Sequence, residues 1–199
     1  IMKRNAVSKE MCKFLHDYML IKKRVHLTFH ELTYVPSKSS EWGTMKDGQV
    51  NGAYSTYGDV AMDTLLEIMK PFIEKEVEAS LYSNYSYARI YIQGNKLIKH
   101  KDRSSCNVSA TLFLGGDKWD FFLKEGKKKI KIDFNIGDLL IYKGGEVEHW
   151  RDEFKGVYSV QVFLHYNDVT AKRAEKNKWD GRRHLGIPRE GPFIIHDRD

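Results

Sequence analysis

The sequence predicts a mainly β fold, an antiparallel sandwich or barrel with helices on its N-terminal side. From Leu81 onward, residues of high strand propensity alternate with a period of two, most clearly over residues 85–92. Turn signals rich in glycine then recur at short intervals, with no helical segment between them. Closely spaced strands of this kind favour antiparallel sheets that pack face to face or close into a barrel. The further predicted strands are 97–102, 107–114, 119–124, 129–134, 138–142 and 157–166.

Two amphipathic helices are predicted before the strands. The first follows Ser8, a suitable N-cap, and the second follows Asp59. Apolar residues recur at helical spacing in both segments. In the first helix they are Met11, Phe14, Leu15, Tyr18 and Met19, and in the second they are Leu65, Ile68, Met69, Phe72 and Ile73. Pro71 is expected to kink or split the second helix, because proline lacks a backbone N–H.

Residues 31–58, between the two helices, are rich in Ser, Gly, Tyr and Thr and predict a long surface loop. Loops of this length in compact domains often act as lids, so we expect this one to border the barrel mouth and shape a substrate site. Its aromatic residues for such a contact are Tyr34, Trp42, Tyr54 and Tyr57. Packing elsewhere on the helices is an equally open alternative.

No linker or internal repeat divides the 199 residues, so a single domain is predicted. We expect helices and loop over 1–80, the barrel core over 81–167, and an irregular basic tail over 168–199 across the outside of the barrel. The positive charge of the tail predicts a solvated face, with an acidic partner such as nucleic acid as the alternative. The basic residues of the tail are Lys172, Arg173, Lys176, Lys178, Arg182, Arg183 and Arg189.

The composition narrows the class of protein. Lys and Arg outnumber Asp and Glu by 33 to 27, a net charge of +6 that leaves nucleic acid, acidic polypeptides or no particular partner open. No apolar run approaches the roughly 18 residues that cross a bilayer, so no membrane partner is expected. Cys12 and Cys106 are too few for a disulfide framework, which predicts a cytoplasmic protein.

A candidate metal site is formed by His100, Asp102 and the more distant His149. Residues two apart on a strand point to the same face, so His100 and Asp102 can aim at one point. His149 follows a predicted strand and a glycine turn, and could complete the set from across a barrel. Two imidazoles and one carboxylate on one face suit Fe(II) and leave positions open for an oxidant and a co-substrate.

The residues around these three resemble the prolyl-4-hydroxylase-like branch of the 2-oxoglutarate and Fe(II)-dependent dioxygenases. The resemblance runs through 87–114, 130–150 and 162–166, within a matched region of roughly 65–166. Members of that branch have a Tyr about nine residues before an H-x-D motif, a Gly between them, a G-D-x-L-x-F strand and a distal His. The matching residues here, in order, are Tyr91, Gly94, His100, Asp102, Gly137, Asp138 and His149.

The resemblance implies a double-stranded β-helix, or jelly-roll barrel, with Fe(II) near one mouth. It implies a hydroxylase that consumes 2-oxoglutarate and dioxygen, releases succinate and carbon dioxide, and hydroxylates an unactivated C–H bond. Tyr91 would point into the barrel and hydrogen-bond 2-oxoglutarate. A peptidyl proline, a free amino acid and a nucleobase are all candidate substrates, because a fold-level resemblance does not fix the substrate.

The chain departs from the pattern of this branch in one respect. Members of the branch usually carry an Arg or Lys nine or ten residues after the distal His, to pair the far carboxylate of 2-oxoglutarate. Tyr158 and Ser159 occupy those positions here. A buried carboxylate without a counter-charge is costly, so another cation is expected. Arg89 shares a strand face with Tyr91 and is our first choice, with Arg151 as the second.

The sequence is also consistent with two other classes of function. One is a metal-binding jelly roll that is not an oxygenase, such as a cupin-like zinc or sugar-binding module. The other is a nucleic-acid-binding module that uses the basic tail. His165 lies in an apolar strand and is expected to be a satisfied barrel residue rather than a metal ligand.

Overall fold

The computed structural model describes residues 1–39 and 41–187. Arg189 and the rest of the predicted tail after residue 187 lie outside them. The helices are α1 (Lys9–Glu31), α2 (Val60–Val77) and α3 (Ala174–Asn177), followed by a short 3-10 helix over Lys178–Gly181. Ser8 is the N-cap of α1, as predicted, and accepts from Met11 N at 3.2 Å. The second helix follows Asp59, as predicted, and Asp59 caps it by accepting from Ala61 N at 3.0 Å. None of the described helices is long and apolar enough to cross a membrane.

The strands of the described residues pair antiparallel in two sheets. In chain order they are β1 (Met2–Lys3), β2 (Lys38–Ser39), β3 (Gly43–Thr44), β4 (Tyr54–Tyr57), β5 (Leu81–Ile92), β6 (Leu97–His100), β7 (Val108–Gly116), β8 (Phe121–Glu125), β9 (Lys128–Ile132), β10 (Leu139–Tyr142), β11 (His149–Arg151) and β12 (Tyr158–Asp168). The large sheet has the order β1-β10-β7-β12-β5-β4-β3-β2, and the small sheet β6-β11-β8-β9. The predicted mainly β fold with flanking helices is confirmed.

Aromatic side chains of the two sheets meet in the space between them. Phe121 of β8 lies 5.7 Å from Tyr142 of β10, measured between ring centroids. Leu97 of β6 shares a buried cluster with Tyr91 of β5 and Phe163 of β12. The opposite face of the large sheet packs on α1 and α2 through a separate apolar cluster. The barrel interior is therefore enclosed by both sheets, while the helices cover the large one from outside.

Two expectations about the N-terminal half were wrong, and a third holds at most in part. Pro71 was expected to kink or split α2; it does not split the helix, in which Pro71 is exposed while the buried Met69 and Ile73 pack against the sheet. The inner face of α1 is offset from the predicted one, since Phe14 is 63% exposed whereas Cys12 is buried. The predicted loop 31–58 contains β2, β3 and β4, which extend the large sheet beyond β5.

Of the aromatic residues of segment 31–58, Trp42 and Tyr54 pack within the protein on the helical side, whereas Tyr34 is exposed to solvent. Trp42 packs edge-on against Phe29 of α1 at 5.2 Å, and Tyr54 is buried and donates to the Trp42 carbonyl oxygen at 2.6 Å. Tyr34 is exposed. This part of the segment therefore packs on the helices, as in the alternative. A lid role for the segment stays a prediction.

The basic tail is only partly a solvated face. Lys172, Arg173 and Lys176 are exposed. Arg182, in contrast, is buried and donates to Asp63 Oδ2 of α2 at 2.9 Å. This ion pair anchors the tail to the helical layer. The sequence around Arg182 gave no indication of this partner, which lies more than 100 residues earlier in the chain.

Candidate metal centre

His100 ends β6, and Asp102 lies two residues beyond the strand. The prediction assumed that His100 and Asp102 point to the same face of one strand. Because Asp102 lies outside the strand, this alternation does not explain its position next to the histidines. Its backbone N–H instead donates to the Gly144 carbonyl oxygen at 2.9 Å, and its Oδ2 accepts from Ser109 Oγ at 2.7 Å. Contacts from β7 and from the turn before β11 thus aim the carboxylate at the histidines.

His149 is the first residue of β11, a three-residue strand that was not among the predicted ones. β11 pairs antiparallel with β6, so that His149 lies opposite His100. The register then shifts, and Arg151 lies opposite Leu97. Irregularities of this kind re-aim side chains next to active sites. Here His149 and Arg151 are both buried.

The three predicted ligands converge. Asp102 Oδ1 lies 3.5 Å from His149 Nε2 and 3.8 Å from His100 Nε2. One ligand atom from each of His100, Asp102 and His149 falls within 4.8 Å of the others, so the group could hold a metal ion. Among the described residues, this is the one group of at least three His, Cys, Asp or Glu with that property.

Backbone carbonyl groups orient both imidazoles. His100 Nδ1 lies 2.8 Å from the Ile98 carbonyl oxygen, and His149 Nδ1 lies 2.9 Å from that of Val147. Because a carbonyl oxygen only accepts hydrogen bonds, Nδ1 is in each case a nitrogen that carries a hydrogen. A hydrogen on Nδ1 leaves Nε2 as the nitrogen that could bind a metal, the arrangement that usually orients a ligating histidine.

The protonation states of Asp102 and His100 suit metal binding. Burial alone would raise the pKa of Asp102, but the side chains of His149 and His165 hold that pKa far below its ordinary value. Burial, followed by the neighbouring His149, lowers the pKa of His100. The site therefore offers a carboxylate and a neutral His100 at neutral pH, as metal ligation requires.

Gly144 is required by close approach at the site. A Cβ at this position would lie 2.0 Å from Asp102 Oδ2 and 2.1 Å from Ser109 Oγ, so any other residue would displace one of them. The sequence indicated Gly144 only as part of a turn. Its proximity to Asp102 depends on a fold-level contact that spacing does not reveal.

His165 is a satisfied barrel residue, as expected. It is 5% exposed, and its Nδ1 lies 3.0 Å from Ser109 Oγ. Burial lowers the pKa of His165 to about 4. His165 Nδ1 also lies 4.0 Å from Asp102 Oδ2, although His165 does not belong to the converging group. It is therefore a neighbour of the candidate site that the sequence did not place there.

An aromatic wall leads from the three ligands into the barrel. The ring of His149 lies 5.0 Å from that of Tyr142 and 5.6 Å from that of Phe121. Deeper in the barrel, the Trp119 ring lies 4.8 Å from that of Tyr91. Tyr91 is fully buried in a cluster that includes residues of both sheets, so it points into the barrel as predicted.

Arg89, our first candidate for pairing a carboxylate, already has a carboxylate partner. Its Nε donates to Asp47 Oδ2 at 2.7 Å and its Nη2 to Asp47 Oδ1 at 3.1 Å. Nη2 also donates to Gln49 Oε1 at 2.7 Å, and Nη1 to Tyr91 Oη at 3.3 Å. Arg89 therefore ties segment 31–58 to the barrel wall through a bidentate ion pair.

Arg151, the second candidate, has no acidic partner within 4.0 Å among the described residues. Its side chain is fully buried, and Nη1 donates to the Trp119 carbonyl oxygen. Nε and Nη2 have no hydrogen-bond partner. The guanidinium carbon lies 5.0 Å from the ring centroids of both Trp119 and Phe121. Burial lowers the pKa of Arg151 to about 10, which still leaves the group charged at neutral pH.

The strand position that usually carries the cation contributes none. Ser159 is buried opposite Tyr91 in the β12–β5 pairing. Tyr158 instead lies beside α1, with its hydroxyl 3.3 Å from His16 Nε2. Arg151 of the small sheet is therefore the buried cation without an anion in the part of the barrel that the structure describes.

A cavity of about 390 Å³ lies elsewhere, between α1 and the start of α2. Tyr18, Ile21, Trp42 and Val60 help to line it, and none of the three converging ligands does. Its size alone carries no chemistry. The candidate site is therefore defined by the converging ligand atoms rather than by this cavity.

Solved structures share this fold. A Pseudomonas putida prolyl-4-hydroxylase matches 84% of this chain over 91% of its own, with a TM-score of 0.59 and 14% identity. The viral collagen prolyl hydroxylase of Paramecium Bursaria Chlorella virus-1, solved with 2-oxoglutarate, matches 85% over 96%, with a TM-score of 0.59 and 11% identity. HygX from Streptomyces hygroscopicus, solved with nickel and 2-oxoglutarate, matches 85% over 83%, with a TM-score of 0.60 and 10% identity.

No protein-family model matches the sequence, and neither does any curated protein. At these identities the structural likeness establishes the fold. The predicted resemblance is confirmed at that level: the chain has the jelly-roll architecture of the 2-oxoglutarate and Fe(II)-dependent oxygenases.

Proposed function

We propose that this protein is an Fe(II)- and 2-oxoglutarate-dependent dioxygenase that hydroxylates an unactivated C–H bond. The observation that carries the proposal is the convergence of His100, Asp102 and His149 in a chain with the jelly-roll fold. Two imidazoles and one carboxylate form the donor set typical of such oxygenases. When bound, Fe(II) with its co-substrate would supply the oxidising chemistry, and the protein would position the reactants and exclude competing reactions.

The co-substrate site extends from the three ligands toward Arg151. His149 and Arg151 are two residues apart on β11, about 7 Å along a strand. A dicarboxylate whose oxo-acid end lies at the metal would place its far carboxylate near this guanidinium. The unpartnered Nε and Nη2 of Arg151 are hydrogen-bond donors of the geometry that a carboxylate accepts. The neighbouring Tyr91 hydroxyl would be a further donor.

We therefore propose Arg151 ahead of Arg89 as the partner of the distant carboxylate. Arg89 already donates twice to Asp47, so a second carboxylate there would compete with an existing buried ion pair. Arg151 pays the desolvation cost of a buried charge without a nearby anion. A ligand carboxylate would offset that cost.

The substrate is proposed at the level of its class. The solved relatives include prolyl hydroxylases, and one of them was solved with a hypoxia inducible factor peptide fragment. A peptidyl proline is our first proposal on that ground, with free amino acids and nucleobases next. As a partner of the tail, nucleic acid would contact the exposed Lys172, Arg173 and Lys176, because Arg182 is already paired with Asp63. Both cysteines are buried free thiols, which supports a cytoplasmic location.

The deciding experiment is 2-oxoglutarate turnover by the Fe(II)-loaded protein against a panel of peptides, amino acids and oligonucleotides. We expect stimulation of succinate release by one class, and loss of both turnover and tight Fe(II) binding in Asp102→Ala. Asp133→Ala, at an exposed acid 3.8 Å from Lys118, is the matched control and should behave as wild type. Tight zinc binding without 2-oxoglutarate binding would instead support the cupin-like alternative.

A further inference from the structure

A buried polar pair, Ser109 and His165, lies directly behind Asp102. The two residues are cross-strand partners in the β7–β12 pairing. His165 Nδ1 lies 3.0 Å from Ser109 Oγ, which in turn lies 2.7 Å from Asp102 Oδ2. Ser109 is fully buried and His165 nearly so. The jelly roll itself does not require a polar pair here, because apolar residues would fill these positions of a barrel wall as well.

The direction of both hydrogen bonds follows from a count of donors. A serine hydroxyl has one hydrogen, and an ionised aspartate can only accept. Ser109 therefore donates to Asp102 and must accept from His165. That bond requires His165 to carry its hydrogen on Nδ1. The chain of donation runs from His165 through Ser109 to Asp102.

Both ends of this chain are held in place. The His165 ring stacks on that of Tyr85 at 4.5 Å, and Tyr85 stacks on Tyr57 at 5.2 Å, which fixes the plane of the imidazole. On the other side, the α-carbon of Gly144 approaches Asp102 Oδ2 so closely that no Cβ would fit. Asp102 Oδ2 is therefore confined between Ser109 and Gly144, and Oδ1 is the oxygen that faces the two histidines.

We propose that Ser109 and His165 are positioning residues that keep Asp102 a one-oxygen metal ligand, an inference that rests on the metal centre proposed above. A set of two histidines and one carboxylate leaves coordination positions open for the co-substrate and dioxygen. A second Asp102 oxygen on the metal would occupy one of them. By engaging Oδ2, Ser109 removes that oxygen from competition.

The test compares variants that differ in one hydrogen-bond donor. Ser109→Ala removes the donor to Asp102, and His165→Phe keeps a ring for stacking on Tyr85 but removes the donor to Ser109. His165→Asn is the matched variant, because its side-chain amide can replace the Nδ1–H group. Anaerobic Fe(II) and Co(II) affinity, the visible spectrum of the Co(II) form and the thermal midpoint are measured for each.

We expect Ser109→Ala and His165→Phe to lower metal affinity by about 10- to 100-fold, the usual effect of removing a group that orients a ligand. Their Co(II) spectra should change, because the second Asp102 oxygen would take a position otherwise held by water, and His165→Asn should recover most of the affinity. The double variant should be no weaker than Ser109→Ala alone, because His165 acts through Ser109.

Unchanged metal affinity and Co(II) spectra in both single variants would overturn the positioning role, even if the thermal midpoint fell. Additive losses in the double variant would overturn the proposed order of donation. A wild-type protein that binds neither metal would instead overturn the proposed function, and the positioning role with it.

Discussion

Two arginines enter the barrel of this protein, and their environments are opposite. Arg89 of β5 is held by both oxygens of Asp47 and by Gln49. Arg151 of β11 is more deeply buried, yet donates only to a backbone carbonyl group and leaves Nε and Nη2 unpartnered. Burial accordingly lowers the pKa of Arg151, whereas the pKa of Arg89 is raised, because nearby tyrosines and Asp47 outweigh its own burial.

The difference separates a structural charge from a charge that suits a ligand. When a buried ion pair is complete within the protein, removing either partner destabilises the fold, because the other charge is left buried without compensation. A buried cation without an anion costs stability in the free protein, and that cost is removed when an anion binds. We therefore assign Arg89 to the attachment of segment 31–58 and propose Arg151 for the co-substrate. Substitutions at each can test this assignment.

The largest effect on stability is expected from Arg89→Met. The variant would leave Asp47 buried without its counter-charge, and should lower the free energy of unfolding by about 3–5 kcal/mol. Denaturant unfolding of the ligand-free protein measures this change. Restoration of stability by the added substitution Asp47→Asn would show that the unpaired carboxylate is the cause. A loss below about 1 kcal/mol would contradict the structural role.

The stability difference between wild type and Arg89→Met should depend on pH. Burial alone would raise the pKa of Asp47, but Arg89 holds it below its ordinary value. In the wild type, this contribution is present above the ordinary aspartate pKa and is lost as the pH falls through the lowered value. In the variant, Asp47 is buried without Arg89 and its pKa should rise. Protonation of Asp47 at low pH then removes the unpaired charge and recovers part of the lost stability. Unfolding at pH 7 and near pH 4 should show the gap narrowing, and a constant gap would contradict the ion-pair explanation.

The next effect is on ligand affinity rather than on stability. Arg151→Met should weaken 2-oxoglutarate binding by at least about 2 kcal/mol, or about 30-fold, the scale for removing one partner of a buried charge pair. Its unfolding free energy without ligand should stay the same or rise. Calorimetric titration of the metal-loaded protein without oxygen measures the affinity, with Arg89→Met as the comparison. A larger loss of affinity in Arg89→Met would restore our first candidate.

The sequence predicted the regular elements better than the contacts between them. Seven barrel strands agree with the structure to within a few residues, because turn glycines and a period of two are local signals. The convergence of His100, Asp102 and His149 followed from a recognisable motif. β11 was missed because three residues give no period. The Asp47–Arg89 pair joins residues 42 positions apart, and neither residue carries a local sign of the other.

The position of Asp102 next to the two histidines was predicted, but the reason given for it was incomplete. We expected Asp102 to share a strand face with His100, but the strand ends at His100. Ser109 and the Gly144 backbone hold it instead, and both come from later in the chain. Contacts of this kind are set by the closing of the barrel. The domain division and the lid role of segment 31–58 remain predictions.

The smallest expected effect is at Tyr91, which lies between the two arginine environments. Its hydroxyl accepts from Arg89 Nη1 at 3.3 Å, and its ring packs on Trp119, whose carbonyl oxygen accepts from Arg151. Because the hydroxyl oxygen already accepts from Arg89, its hydrogen is available to a bound carboxylate. Tyr91→Phe removes that donor and keeps the ring. A hydrogen bond to a charged group contributes about 1.5–3 kcal/mol.

We therefore expect Tyr91→Phe to weaken 2-oxoglutarate binding by about tenfold, at the lower end of that range. Fe(II) affinity should not change, since the three proposed ligands are untouched. The same calorimetric titration measures the loss, which should be smaller than that of Arg151→Met because no charge is removed. An unchanged affinity would mean that the co-substrate does not reach Tyr91. A loss equal to that of Arg151→Met would mean that the tyrosine, rather than the unpartnered arginine, dominates recognition of the carboxylate.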